Sequence, residues 1–104
     1  MINDPQSKEL RQAINGQDYF AAKALLDRGI DPNRVNLKGN TALHRAVITG
    51  DMQMVDLVMK YRPDLSIRNR SNQTPGSLAE YLGFRDIAQR LGVELPSPQR
   101  HLAI

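Results

Sequence analysis

The sequence predicts an all-α protein, a solenoid of three helix-turn-helix units joined by short hairpin-like turns. Two observations predict it: the chain aligns with itself after a shift of 33 residues, and the apolar residues of each unit recur at helical spacing. The shift pairs Thr41 with Thr74, Gly50 with Gly83, Asn36 with Asn69, and Ala46 with both Ala13 and Ala79. A repeat of this length is typical of stacked helical proteins.

The middle unit shows both helices clearly. Its first apolar stripe consists of Leu43, Ala46 and Val47, and its second of Met52, Val55, Val58 and Met59. Between the stripes, Gly50 supplies a helix stop and Asp51 an N-cap residue. Because this turn is short, the two helices are expected to lie antiparallel.

The first and third units repeat the arrangement, each with its own helix start and stop residues. In the first unit, Pro5 is expected at the first helical position and Gly16 at the break between helices. In the third unit, Thr74 can cap a helix that begins at Pro75, and Gly83 marks the turn.

These units make one domain over residues 1–104, because a single pair of short helices cannot bury both of its apolar faces alone. The expected divisions are a first repeat or cap at about 3–35, a second repeat at about 36–68, a third repeat or cap at about 69–95, and a tail at 96–104. Two prolines in the tail prevent a continued helix, so it is either a flexible end or a strap across the last unit.

The middle unit resembles a known family at residues 39–46, where Gly-Asn-Thr-Ala-Leu-His-Arg-Ala is similar to the G-x-T-P-L-H-x-A signature of the ankyrin repeat. Ala42 replaces the proline of that signature. The third unit departs further, with Gly76 in place of the core leucine and Ser77 in place of the histidine. The resemblance extends over about residues 3–95 and implies an ankyrin-type solenoid.

The resemblance also implies structural roles for the residues that match the motif. It implies that Thr41 caps a helix and that His44 hydrogen-bonds neighbouring turns. Gly39 is expected in a left-handed turn conformation, with Asn72 in the equivalent place one unit later. The full structural set is Gly39, Thr41, Leu43, His44, Ala46, Gly50, Thr74, Pro75 and Gly83.

Several classes of function are disfavoured by composition. The chain has no cysteine and two histidines, and it shows neither a nucleophile–base pair nor a glycine-rich phosphate loop. We therefore expect no enzymatic activity, no cofactor and no metal. The sequence also lacks a signal peptide and any apolar run of the roughly 18 residues that a bilayer span requires, which predicts a cytoplasmic protein without a membrane partner.

The residues that the repeat does not need are the candidate binding residues. In ankyrin-like stacks the turn tips and the first helices form a concave face that usually binds partners. By position, this resemblance assigns partner contacts to Leu37, Lys38, Asn40, Arg45, Ile48, Thr49, Arg70, Ser71, Gln73, Tyr81 and Leu82. Phe20 lies off the main apolar stripe of its helix, so it either closes the N-terminal end of the stack or anchors a partner on the outer face.

Charge indicates the character of the partner. The chain carries 14 basic and 11 acidic residues, for a net charge of +3. The basic residues Arg34, Lys38, Arg45, Arg68 and Arg70 fall in or near the turns, which predicts a protein partner with an acidic surface patch. Nucleic acid is disfavoured, because these charges are scattered and only Tyr81 offers a nearby aromatic ring.

The sequence thus predicts a non-catalytic protein–protein interaction module, acting as a stoichiometric inhibitor, an immunity protein or an adaptor. A monomer is expected and a homodimer is the alternative assembly. Two other functions stay open at this point: a basic module that faces nucleic acid, and a self-assembling repeat protein.

Overall fold

The computed structural model describes residues 5–92, and its regular elements over that range are all helices. The all-α prediction is therefore confirmed. The helices are α1 (Pro5–Asn15), α2 (Tyr19–Asp27), α3 (Ala42–Thr49), α4 (Met52–Met59), α5 (Pro75–Leu82) and α6 (Arg85–Arg90). The predicted tail and His101 lie outside the described residues.

Local capping sets the helix ends. The side chains of Asp18, Thr41, Asp51 and Thr74 accept hydrogen bonds from backbone N–H groups in the first turns of α2, α3, α4 and α5, respectively. At the other end, Gly50 closes α3 at φ 71° and Gly83 closes α5 at φ 84°. Glycine adopts this left-handed conformation without steric cost, so the chain can reverse after two helical turns.

The helices form two layers. In one, α1, α3 and α5 pack side by side; in the other, α2, α4 and α6 do the same. We call the first group the inner layer and the second the outer layer. A single core runs between the layers, and its most deeply buried large residues include Leu10, Ile14, Leu43, Met54 and Val55. Each unit completes its core against the next unit, as the solenoid prediction requires.

Two turn tips connect the units, at residues 36–40 and 69–73. In the first tip the Asn36 N–H donates to the Asn40 carbonyl at 3.0 Å, and in the second the Asn69 N–H donates to the Gln73 carbonyl at 2.9 Å. The side-chain oxygens of Asn36 and Asn69 each accept two backbone N–H groups within their own tips. Both tips are therefore the hairpin-like turns that the sequence predicted.

The structure excludes one of the two roles considered for Phe20. The structure leaves the Phe20 side chain 88% exposed, so this ring does not close the N-terminal end of the stack. Phe20 follows Tyr19 on α2, and the buried residues of that helix are Ala22, Leu25 and Leu26. The ring thus points away from the core, toward the outer side of the protein.

Candidate partner-binding site

His44 holds the second unit to the third. Its side chain is fully buried, and its Nε2–H donates to the Gln73 carbonyl in the second tip at 2.8 Å. Its Nδ1 accepts the Thr41 backbone N–H at 3.1 Å, and Thr41 Oγ1 accepts the His44 N–H. This network specifies the neutral Nε2–H tautomer. Burial lowers the pKa of His44, and the bond to Gln73 opposes that shift only in part.

The two tips also contact each other directly. The Arg70 N–H donates to the Lys38 carbonyl at 3.0 Å, and the Asn69 amide donates to the Asn40 side-chain oxygen at 3.0 Å. Gly39 lies at this contact with φ 76°, and a Cβ there would approach Arg70 N to 2.9 Å. The tips therefore form one continuous rim rather than two independent loops.

Asn40 must be removed from the predicted surface. Only 5% of this residue is exposed, because its amide group lies between the two tips. Its polar atoms support the rim and do not face a partner. The burial depends on Asn69, which is 29 residues away in the chain, so position within one unit could not reveal it.

A groove of about 620 Å³ lies between α1 and the first tip. We call it the basic groove. Its lining residues are Lys8, Arg11, Gln12, Asn15, Asn36, Leu37, Lys38 and Arg45. Four of these eight residues are cationic and none is acidic, so the groove has a positive potential suited to an anionic group.

Arg45 is held in this groove by the neighbouring unit. Its Nε and Nη2 donate to the Asn15 side-chain oxygen at 3.0 and 2.8 Å. A guanidinium has five N–H donors, and these two bonds from Nε and Nη2 do not use the Nη1 donors. A guanidinium fixed in this way can donate two parallel hydrogen bonds to a carboxylate with little loss of side-chain freedom.

Exposed apolar side chains lie on the rest of the inner layer. Ile48 is 37% exposed on α3, and Tyr81 and Leu82 are 78% and 40% exposed on α5. We call these three residues the apolar ledge. Leu37, which is 59% exposed, adds an apolar side chain on the first tip. Half-exposed apolar groups of this kind release water when a partner covers them.

The other predicted contacts occupy different environments. Arg70 and Ser71 are exposed on the second tip. Gln73 is half-buried, and its carbonyl accepts hydrogen bonds from both Asn69 and His44. The Thr49 hydroxyl donates to the Ala46 carbonyl within α3, which leaves this residue little freedom to bind elsewhere.

The sequence prediction omitted the contribution of α1. Lys8, Arg11, Gln12 and Asn15 form one wall of the basic groove, yet the first unit lacks the family motif in this stretch. A shift of 33 residues from Arg45 and Ile48 reaches Gln12 and Asn15, so the repeat itself contained the signal.

A second hollow lies on the outer layer, whereas the basic groove lies on the inner layer. It measures about 450 Å³, and Tyr19, Phe20, Lys23, Gln53, Asp56, Leu57 and Lys60 line it. Two of its charged groups are already paired, Lys23 with Asp27 and Asp56 with Arg90, each at 2.7 Å. This hollow therefore combines an exposed ring with largely neutralised charge.

Among the described residues there is neither a cluster of potential metal ligands nor a helix suited to span a membrane. Residues 5–92 contain no group of three His, Asp or Glu side chains placed to hold a metal ion. In the same range, no helix has the length and apolar character needed to cross a bilayer.

Comparison with known proteins places this arrangement in a family. Residues 10–59 match the family described as "Ankyrin repeats (many copies)". The chain is 36% identical over 75 residues to the potassium channel AKT1 of Oryza sativa subsp. indica, which covers 72% of this chain and 8% of the channel. It is 35% identical over 81 residues to Protein PhlB of Serratia liquefaciens, covering 77% of this chain and 36% of that protein.

A third similarity is to protein phosphatase 1 regulatory subunit 27 of Mus musculus, 34% identical over 64 residues, which covers 62% of this chain and 42% of the subunit. The chain spans less than half the length of each of these three relatives. Ankyrin repeats are protein–protein interaction modules and are typically non-catalytic. The repeat period, the capped helix pairs and the matched residues agree, and the chain belongs to the ankyrin-repeat family.

Proposed function

We propose that this protein is a non-catalytic binding protein that engages one protein partner through its inner layer and turn tips. The observation that carries the proposal is the basic groove, which adjoins exposed Leu37 and shares the inner layer with the apolar ledge. Apolar anchors beside fixed cationic groups are the composition of protein-binding hot spots.

The charge distribution supports an acidic surface on the partner. Many carboxylates of the described chain already serve the fold: Asp18 and Asp51 cap helices, and Asp27 and Asp56 bind Lys23 and Arg90. The lining residues of the basic groove include no aspartate or glutamate. A positive inner layer would attract an acidic partner and raise the association rate.

Binding itself is the proposed output, so the protein would act as a stoichiometric inhibitor, an immunity protein or an adaptor. One relative is named as a regulatory subunit of a phosphatase, which supports a role of this general kind. Self-association is the second candidate, and Phe20 favours it, because an exposed ring in an outer hollow could pack against a second copy.

A capture experiment with two matched triple variants tests the proposal. The inner variant changes Leu37→Asp, Lys38→Glu and Arg70→Glu. The outer control changes Phe20→Asp, Arg28→Glu and Lys60→Glu, so that both variants carry the same kinds of substitution at exposed positions. Wild type and variants with native circular dichroism are used to capture proteins from native lysate, and the affinity of the retained protein is measured by calorimetry.

We expect one protein to bind wild type and the outer control with equal affinity. We expect the inner variant to weaken that affinity at least about tenfold, because hot-spot residues dominate interface energy. Loss of binding in the outer control alone would contradict the proposal. A wild-type dimer in light scattering that only the outer control abolishes would favour self-association instead.

A further inference from the structure

The inner layer changes character along the stack. Asn15, Ile48 and Tyr81 take the same position in the three units, as the 33-residue shift shows, and they progress from a polar amide to exposed apolar side chains. The repeat position of Arg45 also changes from polar to apolar along the stack. It is Gln12 in the first unit, Arg45 in the second and buried Leu78 in the third. The α1 end is therefore polar and the α5 end apolar.

We propose that the inner layer binds an extended acidic segment in which a carboxylate occupies the basic groove and a bulky apolar side chain occupies the apolar ledge. This inference rests on the proposed function and specifies the chemistry of the partner. The proposed occupant is a peptide segment of a protein, because the basic groove and the apolar ledge together match a segment that carries an acidic and a bulky apolar side chain.

In the basic groove, Arg45 on α3 is the residue that would receive the carboxylate. Asn15 fixes one edge of its guanidinium, and the Nη1 edge makes no hydrogen bond to another side chain among the described residues. Lys8 and Lys38 are exposed in the same groove and add positive charge on either side. A carboxylate bound here would accept charge-assisted hydrogen bonds in a site that lacks a competing acid.

At the α5 end, Tyr81 and Leu82 would bind the apolar side chain. Their exposure leaves room for a ring or a branched aliphatic group against Ile48 on the adjacent helix. The cation that serves the second unit is replaced here by buried Leu78, so this end offers no equivalent anchor for a second carboxylate.

Helix packing sets the spacing between the two contacts. The inner helices α1, α3 and α5 pack side by side, and adjacent packed helices lie about 8–10 Å apart. Arg45 on α3 and the Tyr81–Leu82 pair on α5 lie on adjacent helices, so the two contacts are separated by about 8–10 Å, which an extended chain spans in about three residues. The segment should carry its acidic and apolar residues at that separation.

The test uses defined peptides, so it does not require the natural partner. The main probe is a blocked pentapeptide, Glu-Glu-Ser-Ser-Phe, together with its reversed sequence, since the direction of the bound chain is open to test. Matched probes replace both Glu residues by Lys, or replace Phe by Ser. Binding is followed in 15N-labelled protein from backbone amides and from the Arg45 Nε–H resonance.

We expect one acidic probe to bind with Kd below about 1 mM and to shift Arg45 Nε–H, residues 37–38 and residues 81–82. The Ser-ended probe should shift only residues of the basic groove and bind at least tenfold more weakly. Arg45→Gln should weaken the acidic probe at least tenfold, whereas the control Arg28→Gln should not change its affinity. Tyr81→Ser should weaken the Phe-ended probe only.

The inference would be overturned by equal binding of the lysine probe, by shifts outside the inner layer, or by the absence of binding of any acidic probe at 1 mM. Stronger binding of a heptauridine probe to the same residues would overturn it in favour of nucleic acid. The capture experiment separates this failure from that of the proposed function. A captured protein that is lost by the inner triple variant, yet retained by both Arg45→Gln and Tyr81→Ser, contradicts the acidic segment and leaves protein binding intact.

Discussion

The imidazole of His44 links protonation to stability. Burial lowers the pKa of His44 in the folded state, whereas the unfolded chain retains a value near 6.5. Below pH 6.5 the unfolded state therefore binds more protons than the folded state. As the pH is lowered, the free energy of unfolding decreases until the pH reaches the folded pKa. We expect the free energy of unfolding, measured by urea denaturation, to be lower at pH 5.5 than at pH 7.5.

Substitution at each histidine provides the controls for this prediction. His44→Gln should unfold more easily at pH 7.5 and lose most of the pH dependence, because no group replaces the buried imidazole. His101→Gln, outside the described residues, should keep the dependence of wild type. A pH dependence that survives in His44→Gln and disappears in His101→Gln would contradict the assignment.

At the scale of elements, the two turn tips behave as one rim because their backbones touch at Gly39. Gly39→Ala meets two penalties: φ 76° strains any residue with a Cβ, and that Cβ would lie 2.9 Å from Arg70 N. Gly83→Ala has comparable strain at φ 84° but no atom within 4 Å. We expect Gly83→Ala to cost about 1–2 kcal/mol and Gly39→Ala at least about 1 kcal/mol more.

Urea denaturation of both glycine variants at pH 7.5 measures the difference. The excess cost at Gly39 isolates the contact between the tips from backbone strain, which both variants share. Equal costs would show that the second tip moves away freely, and the continuous rim described above would then be wrong.

At the scale of the whole molecule, bonds between side chains in successive units couple the stack. The Tyr19 hydroxyl donates to Asp51, the N-cap of α4, and the Tyr61 hydroxyl donates to Asp27 at 2.5 Å. Arg90 donates to Asp56 at 2.7 Å, which ties α6 to α4. Because each unit also buries its core against the next, no unit should remain folded when its neighbour unfolds.

We therefore expect the protein to unfold in a single two-state transition. Far-UV circular dichroism and tyrosine fluorescence should give the same urea midpoint. Ile87→Ala, in the buried face of α6, should lower both midpoints together and cost about 2–5 kcal/mol. Two separated midpoints in this variant would show instead that the third unit unfolds independently.

The candidate site was predictable only where it follows the repeat. Leu37, Lys38 and Arg45 were assigned by position in the middle unit, and the structure brings all three to the basic groove. Their opposite wall was missed, since Lys8 and Gln12 lie in a stretch that lacks the family motif. Asn40 was misplaced because its burial arises from Asn69 in the next tip. For Phe20 the sequence left two roles open, and its exposure in the structure excludes closure of the stack end.

The sequence by itself determined the period, the helix pairs and the helix ends. The helix pairs and their ends depend on residues within about ten positions of one another, such as a capping threonine, a left-handed glycine or an apolar stripe, and the period is visible when the chain is aligned with itself. Tertiary structure decided which polar residues face a partner and which hold the units together. That distinction depends on pairs 29–34 residues apart, such as Arg45 with Asn15 and Asn69 with Asn40, whose geometry exists only once the units have stacked.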